Sequence, residues 1–156
     1  MTHYLIRPVV MADLPTILRI EHLSFAEEAF NWTDFLGFFR HAPTTFLVAE
    51  DDGEVIGYIT AHPDWDDPDS GYIASLAVSP SYRRLGVGTA LIAAVTGIFA
   101  ERDARRMALH VRVENTAAIR LYESNGFRVA ATVPHYYGQG EAAYFMVREA
   151  ESGVQH

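Results

Sequence analysis

Apolar positions fall into blocks whose spacing changes along the chain. Tyr4 to Arg7 reads as a short strand, and Pro8 limits its continuation. From Ala12 or Asp13 the spacing lengthens. Leu14, Ile17, Leu18 and Glu21-His22 carry a helix towards Phe25, with Ile17, Ile20 and Leu23-Ser24 on its stripe and Pro15 tolerated in the first turn. Asn31 is a good N-cap for a second helix through Trp32, Phe35, Leu36, Phe38 and Phe39, ending near His41-Ala42-Pro43. Phe46–Glu50 and Val55–Ala61 read as strands flanking Asp51-Asp52-Gly53-Glu54, a hairpin signal. His62 to Gly71 reads as a solvated acidic loop. Its aspartates superficially suggest calcium, but counting from Asp64 the positions that need glycine and glutamate hold Asp69 and Ser75.

The stretch Tyr72–Ala100 organises the rest. Residues 72–78 are β-prone, Ser79-Pro80-Ser81 breaks them, and a long helix then runs to about Ala100. Glu101–Arg106 is a charged helix end. Met107–Val113 alternates, with Met107, Leu109, Val111 and Val113 on one face and Ala108, His110 and Arg112 on the other. Asn115 caps a helix through Ile119, Leu121 and Tyr122 that Asn125-Gly126 stops. Phe127–Val133 is a strand, Pro134–Gly140 a loop, and Ala142–Arg148 the last strand. The order β-α-α-β-β-β-α-β-α-β-β predicts an α/β fold (α+β by some schemes), a mixed central sheet with helices on both faces. Residues 1–149 read as a single domain and 150–156 as a frayed tail.

Composition narrows the chemistry. The 156 residues are 49% hydrophobic, ample for a core. A net charge of −8 argues against nucleic acid or an anionic membrane as partner. With no cysteine there is no disulfide, thiolate metal site or acyl-cysteine intermediate. All twelve Lys+Arg residues are arginine, so no Schiff-base lysine exists. MTHYLIRPV lacks the pattern of a signal peptide, and the apolar run Ala90–Ala100 is too short to span a bilayer. A soluble, cytoplasmic protein without a metal is expected.

The turn into the long helix is a site for a pyrophosphate. The first helical N–H groups lack intrahelical partners, the dipole adds positive potential, and Gly86 and Gly88 allow close approach. The P-loop pattern fails because no lysine follows the second glycine, and the Rossmann fingerprint fails at Leu91. What fits is R-x-x-G-x-G, here Arg83-Arg84-Leu85-Gly86-Val87-Gly88. It resembles the acetyl-CoA pyrophosphate loop of the GNAT superfamily of N-acetyltransferases. A second signature of that family, N-x-x-A-x-x-[LF]-Y-x-x-x-G-F, is similar to Asn115–Phe127. Tyr136-Tyr137 with Gly140–Met146 resembles the closing hairpin of protein N-terminal acetyltransferases. Together the likeness spans residues 4–148. Within the superfamily the chain looks like the RimI-type and NatE-type N-alpha-acetyltransferases. It departs from them at Phe25-Ala26, where the family has F-P, and at Ala142, where an acidic residue is usual.

The resemblance implies direct attack of a primary amine on the thioester of acetyl-CoA, taken as co-substrate. The loop from Arg83 through Arg84, Leu85, Gly86, Val87 and Gly88 to Thr89 would hold the pyrophosphate. The main chain of Leu76, Ala77 and Val78 would pair with the pantetheine arm, with Asn115 and Tyr122 also near it. His110, aided by Tyr72 and a water, would be the general base; Tyr122 would protonate the leaving thiolate. Phe25, Tyr136 and Tyr137 would line the peptide entrance. The alternative at each position is structural: a satisfied histidine, a packed tyrosine, a capping asparagine, a core or lid aromatic. An α-amino group titrates at about 7.7–8.0 and lysine at about 10.4, so freeing a lysine amine costs roughly 3 kcal/mol more at neutral pH. This favours protein or peptide N-termini as acceptor. A small-molecule amine, or a non-catalytic acetyl-CoA-binding module, stays open. So does the choice between monomer and homodimer.

Overall fold

A computed structural model describes residues 4–25 and 29–150. Ala26, and the tail beyond Ala150, therefore lie outside the described residues. The elements are β1 (Leu5–Pro8), α1 (Leu14–Phe25), α2 (Trp32–His41), β2 (Phe46–Asp51), β3 (Glu54–Asp64), β4 (Asp67–Val78), α3 (Val87–Glu101), β5 (Arg106–Arg112), α4 (Thr116–Ser124), β6 (Arg128–Gly138) and β7 (Glu141–Glu149). This is the order expected from the sequence. The strands form one mixed sheet in the order β1-β2-β3-β4-β5-β7-β6. β4 and β5 run parallel, whereas β1–β2, β2–β3, β5–β7 and β6–β7 pair antiparallel. Among the described residues no helix is long and apolar enough to cross a membrane.

Two segments expected as loops are largely strand. His62–Gly71 contains only a two-residue turn, Trp65-Asp66, between β3 and β4. Asp64 accepts the Asp66 N–H (2.9 Å), and Asp67 accepts the Asp69 N–H (3.2 Å) and the Ser70 hydroxyl (2.7 Å). The aspartates thus satisfy their own hairpin. Its prolines fit because Pro63 lies past the last β2–β3 pair, Phe46↔Thr60, and Pro68 lies ahead of the first β4–β5 pair, Ser70↔Arg106. Pro134–Gly138 likewise continues β6, at the price of a register shift between Val133 and Gly138. There His135 takes a φ of 60°, and its Nδ1 accepts the Gly140 N–H at 2.7 Å.

The chain divides into two compact units. The first comprises β1, α1, α2, β2, most of β3, the C-terminal end of β4 and the opening turns of α3. In α1 Leu14, Ile17 and Ile20 are buried, whereas Leu23, placed on the same stripe by its spacing, is 66% exposed near the helix end. Asn31 and Asp34 form a reciprocal capping box for α2, with bonds of 3.0 and 2.9 Å. The core of this unit gathers Leu14, Ile17, Phe35, Phe46, Val48 and Tyr58. Phe35 is fully buried and meets Phe30, Phe38 and Tyr58 edge-on at 5.6–6.0 Å. Each such pair adds about 0.5–1.5 kcal/mol to the area burial. The entry to α1 is clamped by Arg7, which bonds both carboxylate oxygens of buried Asp13 and also Glu50. Burial alone would raise the Asp13 carboxyl, but the Arg7 fork and the Val10 N–H hold it below the ordinary range.

The second unit comprises the tip of the β3–β4 hairpin, the first part of β4, the end of α3, β5, α4, β6 and β7. β5 registers Tyr72 against Ala108 on one side and His110 against Phe145 on the other. Gly71 lies where only a glycine fits: a Cβ there would stand 2.6 Å from Met107 Sδ and 2.9 Å from the Phe99 ring. α4 begins at Asn115, whose side chain accepts the Ala118 N–H (3.1 Å), and stops at Gly126 with a φ of 91°. Ala150 is held by its N–H donating to the Arg105 carbonyl at 2.8 Å.

Candidate active site

In the first unit, β4 runs into the turn that precedes α3. Leu76 and Ala77 are buried, and Val78 is half-buried. The Ser79 N–H donates to the Ile56 carbonyl (2.7 Å), and the Tyr82 hydroxyl donates to Asp51 (2.9 Å), anchoring the turn to β2 and β3. Arg84 (φ 65°) and Gly86 (φ 82°) both take left-handed conformations. Such alternation turns successive N–H groups to one side and makes a concavity for an anion. α3 closes a hydrogen bond from the Ala90 N–H to the Gly86 carbonyl at 3.0 Å.

The side chains of this loop divide. Val87 is buried, with Gly88 half-buried behind it. Arg84, Leu85, Gly86 and Thr89 are exposed. Arg83 is engaged within its unit: Nε donates to the Val78 carbonyl at 3.2 Å, and its guanidinium reaches Ser24 Oγ at 3.4 Å. Arg84 is exposed and makes no side-chain hydrogen bond among the described residues. Phe25, expected at the entrance, is partly buried against the core of the first unit.

In the second unit a cluster forms around His110. Its Nδ1 is 2.6 Å from the Tyr72 hydroxyl. Tyr136 lies flat on the imidazole, with centroids 4.1 Å apart and planes at 7°. Phe145, the cross-strand neighbour, packs at 5.0 Å. Tyr137 stands edge-on to Tyr136 at 4.9 Å, and Arg112 lies 4.8 Å over the Tyr137 ring while pairing with Glu141. Burial pushes the His110 imidazole below its ordinary value, against the opposing field of Asp64. At neutral pH the ring is therefore uncharged. Burial, reinforced by a hydrogen bond with Tyr136, holds the Tyr72 phenol far above its ordinary value, so it remains a proton donor. A protonated phenol beside a neutral imidazole can accept a proton on its oxygen while passing its own to Nδ1.

Tyr122 is buried on α4 against Phe127, with centroids 5.8 Å apart. Burial raises its phenol too, and among the described residues no side chain bonds its hydroxyl. It keeps a proton available to a basic atom brought against it. Asn115 is committed through its carbonyl oxygen to capping α4. Phe145, the Arg112–Glu141 clamp and the field of Asp64 are additions that the sequence reading lacked. The alternation of β7 marks Phe145 as facing one side. Only the β5–β7 register reveals which side chain it meets. Among the described residues no group of three or more His, Asp or Glu is placed to hold a metal ion.

The acetyltransferase (GNAT) family model matches residues 11–127. The chain is 37% identical over 153 residues to an N-alpha-acetyltransferase of Sulfurisphaera tokodaii, covering 92% of this chain and 91% of that one. It is 39% identical over 145 residues to an N-terminal acetyltransferase complex ARD1 subunit homolog of Dictyostelium discoideum, covering 91% and 71%. The crystal structure of Ard1 from Thermoplasma volcanium superposes with a TM-score of 0.88 at 31% identity, over 96% of this chain and 99% of that one. A turn of left-handed residues ahead of a helix, and a neutral imidazole beside a protonated phenol, would suit acyl transfer from a nucleotide-bearing thioester. With the sequence match extending through both, the chain belongs to the GNAT acetyltransferase family and is an acetyl-CoA-dependent N-acetyltransferase.

Proposed function

We propose that this enzyme acetylates the α-amino group of protein N-termini, with His110 as proton acceptor, Tyr72 as the relay to it and Tyr122 as proton donor. The observation that carries the reading is the 2.6 Å contact between the Tyr72 hydroxyl and Nδ1 of a neutral His110. The amine nitrogen attacks the thioester carbonyl carbon and its proton passes to the Tyr72 oxygen, directly or through one water. Tyr72 gives its own proton to His110 Nδ1, so no phenolate forms. The carbon–sulfur bond breaks, the sulfur takes the Tyr122 proton as CoA leaves, and the proton held on His110 is returned to Tyr122 through solvent before the next turnover. The amides and guanidinium from Arg83 to Thr89 hold the pyrophosphate, and the main chain of Leu76 to Val78 pairs with the pantetheine arm.

Two further facts support an N-terminal acceptor. A histidine with a lowered pKa takes a proton from an α-ammonium far more readily than from lysine, whose pKa is about 2.5 units higher. The relatives of highest identity named above are N-terminal acetyltransferases by name. RimI-like and NatE-like specificities are the variants to distinguish, and the cytoplasm is the compartment where such substrates are made.

The test is CoA release from acetyl-CoA with three peptides. One has a free N-terminus and no lysine, one a blocked N-terminus and a single lysine, and one has both amines blocked. Turnover on the first alone is expected. Turnover on the lysine peptide alone, or on neither while acetyl-CoA still binds, overturns the N-terminal reading in favour of a side-chain or small-amine acceptor.

A further inference from the structure

The turn that joins β6 to β7 carries a histidine that the chemistry above does not use. His135 is exposed and takes a φ of 60°. A side chain other than glycine costs free energy in that left-handed region and persists only where its surroundings over-determine it. Here the imidazole itself supplies the constraint: the Gly140 N–H donates to His135 Nδ1 at 2.7 Å. The bond spans five residues and ties the irregular end of β6 to the start of the return strand. Gly138 (φ 155°) and Gly140 (φ 77°) complete the turn in conformations that favour glycine.

The next residue covers the site. Tyr136 lies flat on the His110 imidazole, with centroids 4.1 Å apart. The β6–β7 register shifts between Val133 and Gly138, so regular pairing does not set the direction of the Tyr136 ring. An irregularity of this kind re-aims the side chains it carries, and the latch fixes the backbone immediately ahead of Tyr136. Tyr137 is held separately, by Arg112 at 4.8 Å over its ring and by the pairing of Arg112 with Glu141. With Phe145 beside the imidazole and Tyr136 above it, water is kept from one ring face. Every residue in this series of contacts belongs to the second unit.

We infer that His135 is a positioning residue for the His110 cluster: its bond from the Gly140 N–H holds the end of β6 in the shape that lays Tyr136 on the imidazole. His135 acts through Tyr136. Its bearing on turnover rests on the proposed role of His110 as proton acceptor.

Two substitutions separate the latch from the backbone strain. His135→Gly adopts the left-handed φ freely but has no acceptor. His135→Asn also tolerates that φ, and its amide oxygen, attached to Cγ as Nδ1 is, can take the Gly140 N–H. Proton NMR at pH 8, above the ordinary histidine range, reads the stack directly. The Tyr136 ring face displaces the His110 ring protons upfield, and His110→Ala identifies those signals by their loss. Initial rates on the free-N-terminus peptide are measured on the same samples. His135→Gly is expected to lose the upfield displacement and to lower kcat/KM about two- to tenfold, the worth of one hydrogen bond. His135→Asn should keep both close to wild type. An unchanged displacement in the glycine variant overturns the inference, as does an equal loss in both variants. A displacement lost in the glycine variant and kept in the asparagine variant, with rates unchanged, upholds the positioning and removes its bearing on turnover. Failure of the His110 reading shows separately, as a fully active His110→Ala variant, and the NMR signals of the two His135 variants still decide the latch.

Discussion

Replacing His110 with alanine removes the proposed proton acceptor and leaves Tyr72 and Tyr136 in place, so the consequence can be worked out by limb of a pH profile. A positioned general base contributes about 10²–10⁴-fold, or roughly 3–5 kcal/mol of barrier. Two deprotonations govern wild-type kcat/KM: the peptide amine at about 7.7–8.0, and His110 at a value that burial holds below the ordinary 6.5. Below both, log kcat/KM should rise with a slope of about 2; between them the slope is about 1; above the amine value the curve is flat. The alanine variant has only the amine limb. Its curve should lie about 10²–10⁴-fold below wild type on the plateau and converge on it by about tenfold per pH unit once His110 is protonated. CoA release at subsaturating peptide from pH 5 to 9 measures both curves. Acetyl-CoA affinity, measured by equilibrium binding, should be unchanged. Parallel curves at every pH, or a variant within about threefold of wild type on the plateau, would show that His110 is structural and that the proton leaves another way.

Tyr122→Phe should lower kcat by about 10- to 100-fold with little change in acetyl-CoA KM, because the lost hydroxyl acts only as sulfur leaves; single-turnover kinetics showing full activity would remove it from the mechanism. Gly71→Ala drives a Cβ against Met107 and Phe99, costing about 1–3 kcal/mol. Calorimetry should show a melting temperature lower by roughly 3–10 °C, and an unchanged value would mean that the site relaxes freely. Burial raises the Glu21 carboxyl, so its folded form holds a proton more tightly than its unfolded form does. That contribution to stability is complete below the unfolded value and fades as pH rises through the folded one. The melting temperature of Glu21→Gln relative to wild type should therefore increase from pH 5 to pH 8, and a flat or falling difference contradicts this sign.

The element order and the helix caps were legible because they depend on neighbours in sequence: Asn31 with Asp34, Asn115 with Ala118, Gly126 with its left-handed φ. The turn ahead of α3 was legible for the same reason, since the left-handed conformation of Gly86 is a local property. Strand ends were not. The aspartates and prolines of residues 62–71 carry the composition of a loop. Pairing that local preference cannot register draws all but Trp65 and Asp66 into β3 and β4. The chemistry of His110 was half legible. Its residue type and its side of the strand could be read, and Tyr72 could be nominated from resemblance. The contact between them depends on the parallel register that sets Tyr72 opposite Ala108. The stacking of Tyr136 on the imidazole, with Tyr137 edge-on to it, could not be read from the sequence either. No local pattern announces that β7 inserts between β5 and β6.

That insertion has a bearing on how the enzyme is born. β5 leaves the ribosome before either strand of the closing hairpin, and translation adds only about 5–20 residues per second. Until residues 141–149 emerge, one edge of β5 is unpaired and His110 lacks both Phe145 beside it and Tyr136 above it. A nascent chain halted before β7 would present an open strand edge, the kind of template on which aggregation begins. His110 becomes enclosed only with the last strand of the sheet, so on the proposed mechanism catalytic competence should appear late and all at once during synthesis.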